Sequence, residues 1–233
     1  MSSPRRSDRF LPEIYRQRFS ASEADQKDAI WKEVTHFLQR FVPADGAVLD
    51  LACDRGDFIR NIACREKWAT DLRDMSAALT PDVTFVQADG LELQNVLPQQ
   101  HFDVVFMSNY LEHLGSNNEV IEQFRVVHRL LKPDGRVIVL QPNIKLVGGD
   151  YWDFIDHSVA LTEKSLEEAA SLGGFRTVTV IRRFLPYTTK SRFPKGSRLV
   201  RAYLAVPALW RVLGKQTLYV GAPVLGSADE APS

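Results

Sequence analysis

Between Ala47 and Gln141 short apolar runs alternate with amphipathic stretches, and that alternation rules out most folds. Ala47–Ala52 reads as a strand, a second strand ends near Asp71, a third covers Val83–Gln87 and a fourth Phe102–Met107. The fourth is almost wholly apolar, as a strand covered on both faces must be. A helix is expected from about Gly56 to Cys64. Ser116 and Glu119 have the spacing of a capping box; behind them Val120, Ile121, Phe124, Val127 and Leu131 share one helical face. Lys132–Gly135 reads as a turn into a fifth strand, Arg136–Gln141. Strands and helices alternating at this spacing predict an α/β fold, a parallel sheet with helices on both faces.

The flanks are less regular. Residues 1–21 are polar and basic and read as a flexible arm. Ser20 and Glu23 repeat the capping-box spacing, and Ile30, Trp31, Val34, Phe37, Leu38 and Phe41 recur at helical spacing until Pro43 and Gly46 break the pattern. Residues 22–225 read as one domain. Within it Gly148–His157 is an aromatic-rich loop, Thr162 caps a helix that stops at Gly173 and Gly174, and Phe175–Arg182 and Gln216–Ala222 are two more strands. Residues 185–214 form an insertion that mixes Leu199, Val200, Tyr203, Trp210 and Val212 with Arg198, Arg201 and Arg211. It reads as a lid on its own domain, with a peripheral membrane surface or a homodimer contact as alternatives. Pro207 should split it in two. Residues 226–233 read as a disordered tail.

Lysine plus arginine equals aspartate plus glutamate, 29 each, so no net charge draws the chain to nucleic acid and no such partner is expected. Cys53 and Cys64 make no disulfide framework and point to a reducing, cytoplasmic setting. Neither a secretory signal nor a transmembrane segment is read.

The first strand carries Asp50 near its end and runs into Ala52, Cys53, Asp54, Arg55 and Gly56. In an open α/β sheet, ligands bind where the chain leaves the carboxyl end of a strand. Small residues there let the backbone come close. An acid at that place repels a pyrophosphate and pairs with a cationic amino group, and the glycine fingerprint of dinucleotide folds is absent. Asp71 closes the second strand, Asp89 and Gly90 follow the third, and Phe102–Leu114 and Leu130–Val139 carry the fourth and fifth. In this order the five features resemble class I methyltransferases dependent on S-adenosylmethionine, of a type 11/23-like bacterial subgroup.

The resemblance implies a Rossmann-like fold with a mostly parallel seven-stranded sheet. It implies S-adenosyl-L-methionine as cofactor, held by Asp50, Ala52, Cys53, Asp54, Gly56, Asp71, Leu72, Asp89, Gly90 and Ser108. Asp71 would take the ribose hydroxyls and Asp89 the adenine amino group. The family has glycine where Ala52 and Asp54 stand. Alanine costs little there if its φ is negative, whereas Asp54 adds a side chain and a charge beside the cofactor. The segments Gly149–His157, Arg183–Ser191 and Trp210–Gln216 resemble a subgroup of bacterial methyltransferases of uncharacterised or glycan-related role, which implies a small-molecule or glycan acceptor.

Methyl transfer is an in-line displacement at a sulfonium methyl, so alignment and exclusion of water are the main tasks. A base is needed only for a weakly acidic hydroxyl or a protonated amine. His113 and His157 are the candidate bases, with Glu112 as a third; each can equally serve as a cap or packing partner. Tyr110, Asn143, Lys145, Tyr151 and Trp152, with Phe154, are candidate acceptor contacts. Tyr15, Arg16 and Arg18 belong to an arm that can close over the cofactor. No metal is expected. The competing readings are a methyltransferase-like scaffold without catalysis, which Asp54 favours, and a nicotinamide-dependent enzyme, which the missing fingerprint opposes.

Overall fold

Side-chain alternation along the strands defines two cores, one on each face of a single sheet. In the computed structural model, which describes residues 21–187 and 197–225, β1 is Ala47–Leu51, β2 Glu66–Asp71, β3 Val83–Gln87 and β4 Phe102–Ser108. Leu49, Leu51, Val105, Met107, Val137 and Val139 point to one side; Val48, Val104, Phe106, Ile138 and Leu140 point to the other. All are essentially unexposed, which explains why these strands read as continuous apolar runs.

The helices sort onto those faces. α1, Ala21–Leu38, lays Val34, Phe37 and Leu38 on the second face. α2, Asn117–Leu130, lays Val120, Phe124 and Val127 on the first, and its N-cap Ser116 accepts from the Glu119 amide. Glu119 does not close the expected reciprocal box: its carboxylate accepts from the Gly115 amide, one residue earlier. β5, Leu131–Pro142, leads to a short α3, Ile144–Val147, and then to α4, Glu163–Leu172, whose Thr162 and Ser165 do form a capping box. β6, Phe175–Ile181, and β7, Gln216–Pro223, complete the sheet.

The strand order is β3-β2-β1-β4-β5-β7-β6, with β7 antiparallel to both neighbours and the other pairs parallel. Chain direction across the sheet reverses between β1 and β4, so a crevice opens at their carboxyl ends. That crevice positions the site.

Two local expectations fail for identifiable reasons. The helix expected from Gly56 to Cys64 is a set of separate turns. Asn61 Nδ2 donates to the Asp57 carbonyl at 2.8 Å, the acceptor a continuous helix would give to the Asn61 amide; that amide turns to Phe58 O instead. The turn expected at Lys132–Gly135 is a bulge inside β5: Phe102 pairs with Leu131, but Val104 pairs with Arg136.

The insertion is helical where described. α5, Ser197–Ala205, and α6, Pro207–Leu213, are split by Pro207 at the first position of α6, which has no backbone donor to lose there. Val200, Tyr203, Leu204 and Trp210 are buried beneath it, while Leu199, Val206 and Val212 face outward. Trp210 packs edge-on against Phe37 and Phe184, and Arg201 makes a bidentate pair with Glu33 of α1. The expected arm with Ser20, Tyr15, Arg16 and Arg18, the tail from 226, and residues 188–196 of the insertion lie outside the described residues.

Candidate active site

The chain leaves β1 through a turn in which Ala52, Asp54 and Gly56 all have positive φ, 57°, 48° and 71°. The favourable case for alanine, a negative φ, is therefore not realised. A left-handed conformation costs an alanine roughly 1–2 kcal/mol, and rather less for an aspartate. Gly56 is required twice over, since a Cβ there would lie 2.2 Å from Leu79 Cδ2. The glycine-type backbone is thus kept where two glycines are absent.

Charged side chains knit this turn to the end of β2. Asp71, buried, accepts from the Asp54 amide at 3.1 Å and from the Arg73 amide and Nε at 2.9 and 3.0 Å. Arg73 Nη2 reaches Asp54 Oδ1 at 3.0 Å. Lys27 of α1 lies 3.3 Å from both Asp54 Oδ2 and Asp57 Oδ2, and Arg60 holds Asp57 at 2.8 Å. Asp50 sits behind this lattice. Burial first, opposed by a hydrogen bond from the Ile59 amide, and then the nearby Asp57, Asp71 and Asp54, push its carboxyl well above the ordinary carboxylate range. Burial likewise raises the Cys53 thiol, so Cys53 is packing and not a nucleophile.

At the end of β3, Asp89 caps the following turn by accepting from the Leu91 amide at 3.0 Å. Gly90 leaves room for a neighbour, since a Cβ there would meet Tyr110 Oη at 2.2 Å. Tyr110 donates to Gln123 Oε1 at 2.8 Å, and Gln123 donates to Gly90 O at 3.1 Å. Tyr110 is half-buried, and its hydroxyl is engaged by Gln123.

β4 ends in Ser108, half-buried, whose Oγ accepts from Asn109. The next turn carries Glu112, only 1% exposed, and burial raises its carboxyl above the ordinary range. His113 Nδ1 lies 3.2 Å from Asp156 O and 3.3 Å from Asp156 Oδ2; His157 Nδ1 lies 2.7 Å from Tyr151 O. The two imidazoles stand 5.0 Å apart between centroids. The structure thus brings His157, from the loop after β5, to the adjacent pair Glu112 and His113 at the end of β4.

Other acceptor candidates are withdrawn or left at the rim. Asn143 is buried; its Nδ2 donates to Glu163 at 2.7 Å and Thr217 at 3.1 Å, so it fastens α4 to β7. Tyr151 is wholly buried, with its hydroxyl on Val159 O. Lys145 and Trp152 remain exposed. Sequence reasoning missed Lys27, Arg73, Gln123 and Asp156. Only Arg73 had a local signal, a cation two residues past the acid that ends β2.

An open sheet with an antiparallel seventh strand and an acid-lined, left-handed turn at its switch point defines a class: the Rossmann-like methyltransferases. The chain belongs to the methyltransferase domain family, whose sequence pattern matches residues 23–180. YqeM of Bacillus subtilis (strain 168), assigned as a methyltransferase, is 30% identical over 132 residues, 52% of this chain and 53% of that protein. The ubiquinone/menaquinone biosynthesis C-methyltransferase UbiE of Ectopseudomonas mendocina (strain ymp) is 31% identical over 127 residues, 48% of this chain and 47% of that protein. The chain thus spans about half the length of the curated relatives it matches.

Among solved structures, a chain in the complex of the Haloferax volcanii Trm112 methyltransferase activator with a methyltransferase aligns at TM-score 0.64 and 17% identity, covering 93% of this chain and 96% of that one. A SAM-dependent methyltransferase of Mesorhizobium loti aligns at TM-score 0.59 and 20% identity, covering 79% and 95%. These likenesses establish the fold.

Membership implies S-adenosylmethionine as cofactor, and the residues present fit it. The left-handed turn presents main chain, Leu72 is exposed beside Asp71, and Asp50, Asp54, Asp57 and Asp71 make the locality hospitable to a cation and hostile to a phosphate.

Proposed function

We propose that this protein transfers a methyl group from S-adenosylmethionine to a small-molecule or glycan acceptor. The reading rests on one observation above the others: Ala52, Asp54 and Gly56 hold the left-handed backbone of a glycine-rich turn beside buried Asp50 and Asp71. A left-handed backbone kept at Ala52 and Asp54, where no glycine relieves it, points to a ligand for which that turn is shaped.

When bound, the cofactor supplies a methyl group on a cationic sulfur. The chain's own part is placement. Asp50 and its acidic neighbours offset the cofactor's positive charge, Asp71 receives the ribose, Leu72 covers the adenine and Asp89 lies at its edge. The acceptor enters over the end of β4, where His113, His157 and exposed Trp152 lie. An imidazole there takes the proton of a hydroxyl or amine acceptor. No helix of the described residues is long and apolar enough to cross a membrane.

A second reading has a specific observation behind it. Arg73 and the Asp54 amide engage both carboxylate oxygens of Asp71, which favours a binding protein that has lost catalysis. Calorimetric titration with S-adenosylmethionine and S-adenosylhomocysteine separates the two. Micromolar binding that Asp71→Ala abolishes supports the transferase, which is then screened with labelled cofactor against sugars and small amphiphiles. A folded protein with no affinity for either ligand supports the scaffold.

A further inference from the structure

Burying a carboxylate without a partner is costly, and native proteins rarely leave one so. Glu112 does: among the described residues its Oε2 has no hydrogen-bond partner, although the residue is 1% exposed. Gln141 is the polar side chain that bears on the same carboxyl, yet it leaves Oε2 unmet. That oxygen marks a polar spot that the chain alone does not satisfy.

Beside Glu112 stand two imidazoles. One ligand atom each from Glu112, His113 and His157 lie within 4.8 Å of one another. Around one small divalent ion, ligands at about 2.0–2.2 Å would lie roughly 3–3.5 Å apart, a closure that side-chain rotation supplies. The outer contacts are those of metal-bound histidines. His113 Nδ1 faces the Asp156 carbonyl and carboxylate, and His157 Nδ1 faces the Tyr151 carbonyl at 2.7 Å. Donation from each Nδ1 to those oxygens fixes the tautomer, as outer-shell acceptors do for metal-bound histidines.

From this geometry we propose that Glu112, His113 and His157 bind one divalent first-row transition ion. Two imidazoles and one carboxylate suit zinc, iron or manganese and not calcium, which takes an all-oxygen shell. Three protein ligands leave a coordination position open. The cluster follows β4, on the side assigned above to the acceptor, so an acceptor oxygen is the natural fourth ligand. That last point rests on the methyl-transfer reading; the binding of the ion does not. With a metal in place the imidazoles are ligands, and the base role given them above belongs to the metal-free protein.

The test uses untagged full-length protein, stripped with chelator and titrated with cobalt(II) as probe and with zinc(II) as competitor. One equivalent of cobalt is expected, with visible absorption bands that zinc removes. Glu112→Gln and His157→Ala should each abolish the bands, and Asp156→Asn should weaken uptake by about 10–100-fold. Circular dichroism and thermal unfolding of the same samples show that each variant is folded, and binding of S-adenosylhomocysteine judges the cofactor site separately. Wild-type protein that takes up no stoichiometric ion, or uptake that survives both ligand substitutions, overturns the proposal and leaves the histidines as bases.

Discussion

Arg73 Nη2 lies 3.0 Å from Asp54 Oδ1, so the side chain standing in a glycine position is tied to the cation that also holds Asp71. Arg73 thereby competes with a ribose for the acid at the end of β2, and its positive charge offsets the potential that would attract a sulfonium. Removing its side chain withdraws one cation from both aspartates, while Lys27 still faces Asp54 and the Asp54 and Arg73 amides still donate to Asp71. Arg73→Ala is expected to bind S-adenosylmethionine about tenfold more tightly, the worth of roughly one charge-assisted hydrogen bond. Calorimetry decides the matter: weaker binding would mean that Arg73 orients Asp71 for the ligand.

Ala52, at φ 57°, tests whether the turn is strained for its ligand. Glycine removes the steric penalty of roughly 1–2 kcal/mol but adds back about 0.5–1 kcal/mol of chain entropy. Ala52→Gly should therefore raise unfolding stability by about 0.5–1 kcal/mol in a denaturant titration, with cofactor affinity unchanged. Loss of stability would show that the Ala52 methyl, which packs against the core of the first face, matters more than its backbone.

Much of this was legible beforehand, because strands buried on both faces announce themselves as apolar runs and Thr162 and Pro207 act through local chemistry. The failures share a cause: each depends on a partner distant in sequence or on a competing side chain. Asn61 takes a carbonyl from the expected helix. Asn143 is a polar residue at a strand end, which resembles a ligand contact until Glu163 and Thr217 are seen to satisfy it in the buried interior. The Arg73 pairs had a local cue, a cation two residues past Asp71, but that cue is the same for an arginine that folds back on two acids and for one in solvent.

Asp50 gives the pH dependence. Its carboxyl is raised, chiefly by burial and then by Asp57, Asp71 and Asp54, against the Ile59 amide; Lys27 and Arg73 pair with those neighbours. A carboxyl raised in the fold binds more protons there than in the unfolded chain. Its contribution therefore favours the fold at low pH, weakens as pH rises above the unfolded value near 4, and is gone above the folded value. A cationic cofactor stabilises the ionised form, so binding releases a proton and strengthens as pH rises toward the folded value. Calorimetry in two buffers of different ionisation enthalpy should show that proton in the wild type and not in Asp50→Asn. Asp50→Asn should also stabilise the ligand-free protein near neutrality. Equal proton release by both would remove Asp50 from this role.

The α5–α6 segment is anchored in two ways, and they should separate experimentally. Trp210 is buried against Phe37 and Phe184, at ring centroid distances of 5.6 and 5.4 Å, and donates to Tyr203 O at 2.8 Å. Replacing it by alanine empties a core site, a change that typically costs about 3–5 kcal/mol. The second anchor is polar: Arg201 grips Glu33 through Nε and Nη2 at 2.9 and 2.8 Å, and Ser197 adds a third bond at 3.0 Å. The Arg201 hydrogen bond, opposed by burial, holds Glu33 below its ordinary carboxylate range. A lowered acid contributes above its unfolded pKa and loses that contribution as pH falls through the folded value. The grip should therefore hold at neutrality and fail in acid. Arg201 is solvent-facing, so screening keeps the effect on global stability small. Glu33→Gln should speed amide exchange across 197–213 at neutral pH and leave the unfolding midpoint almost unmoved, whereas Trp210→Ala should lower the midpoint of the whole domain. Equal global losses in the two variants would show that the insertion is part of the core and does not open separately.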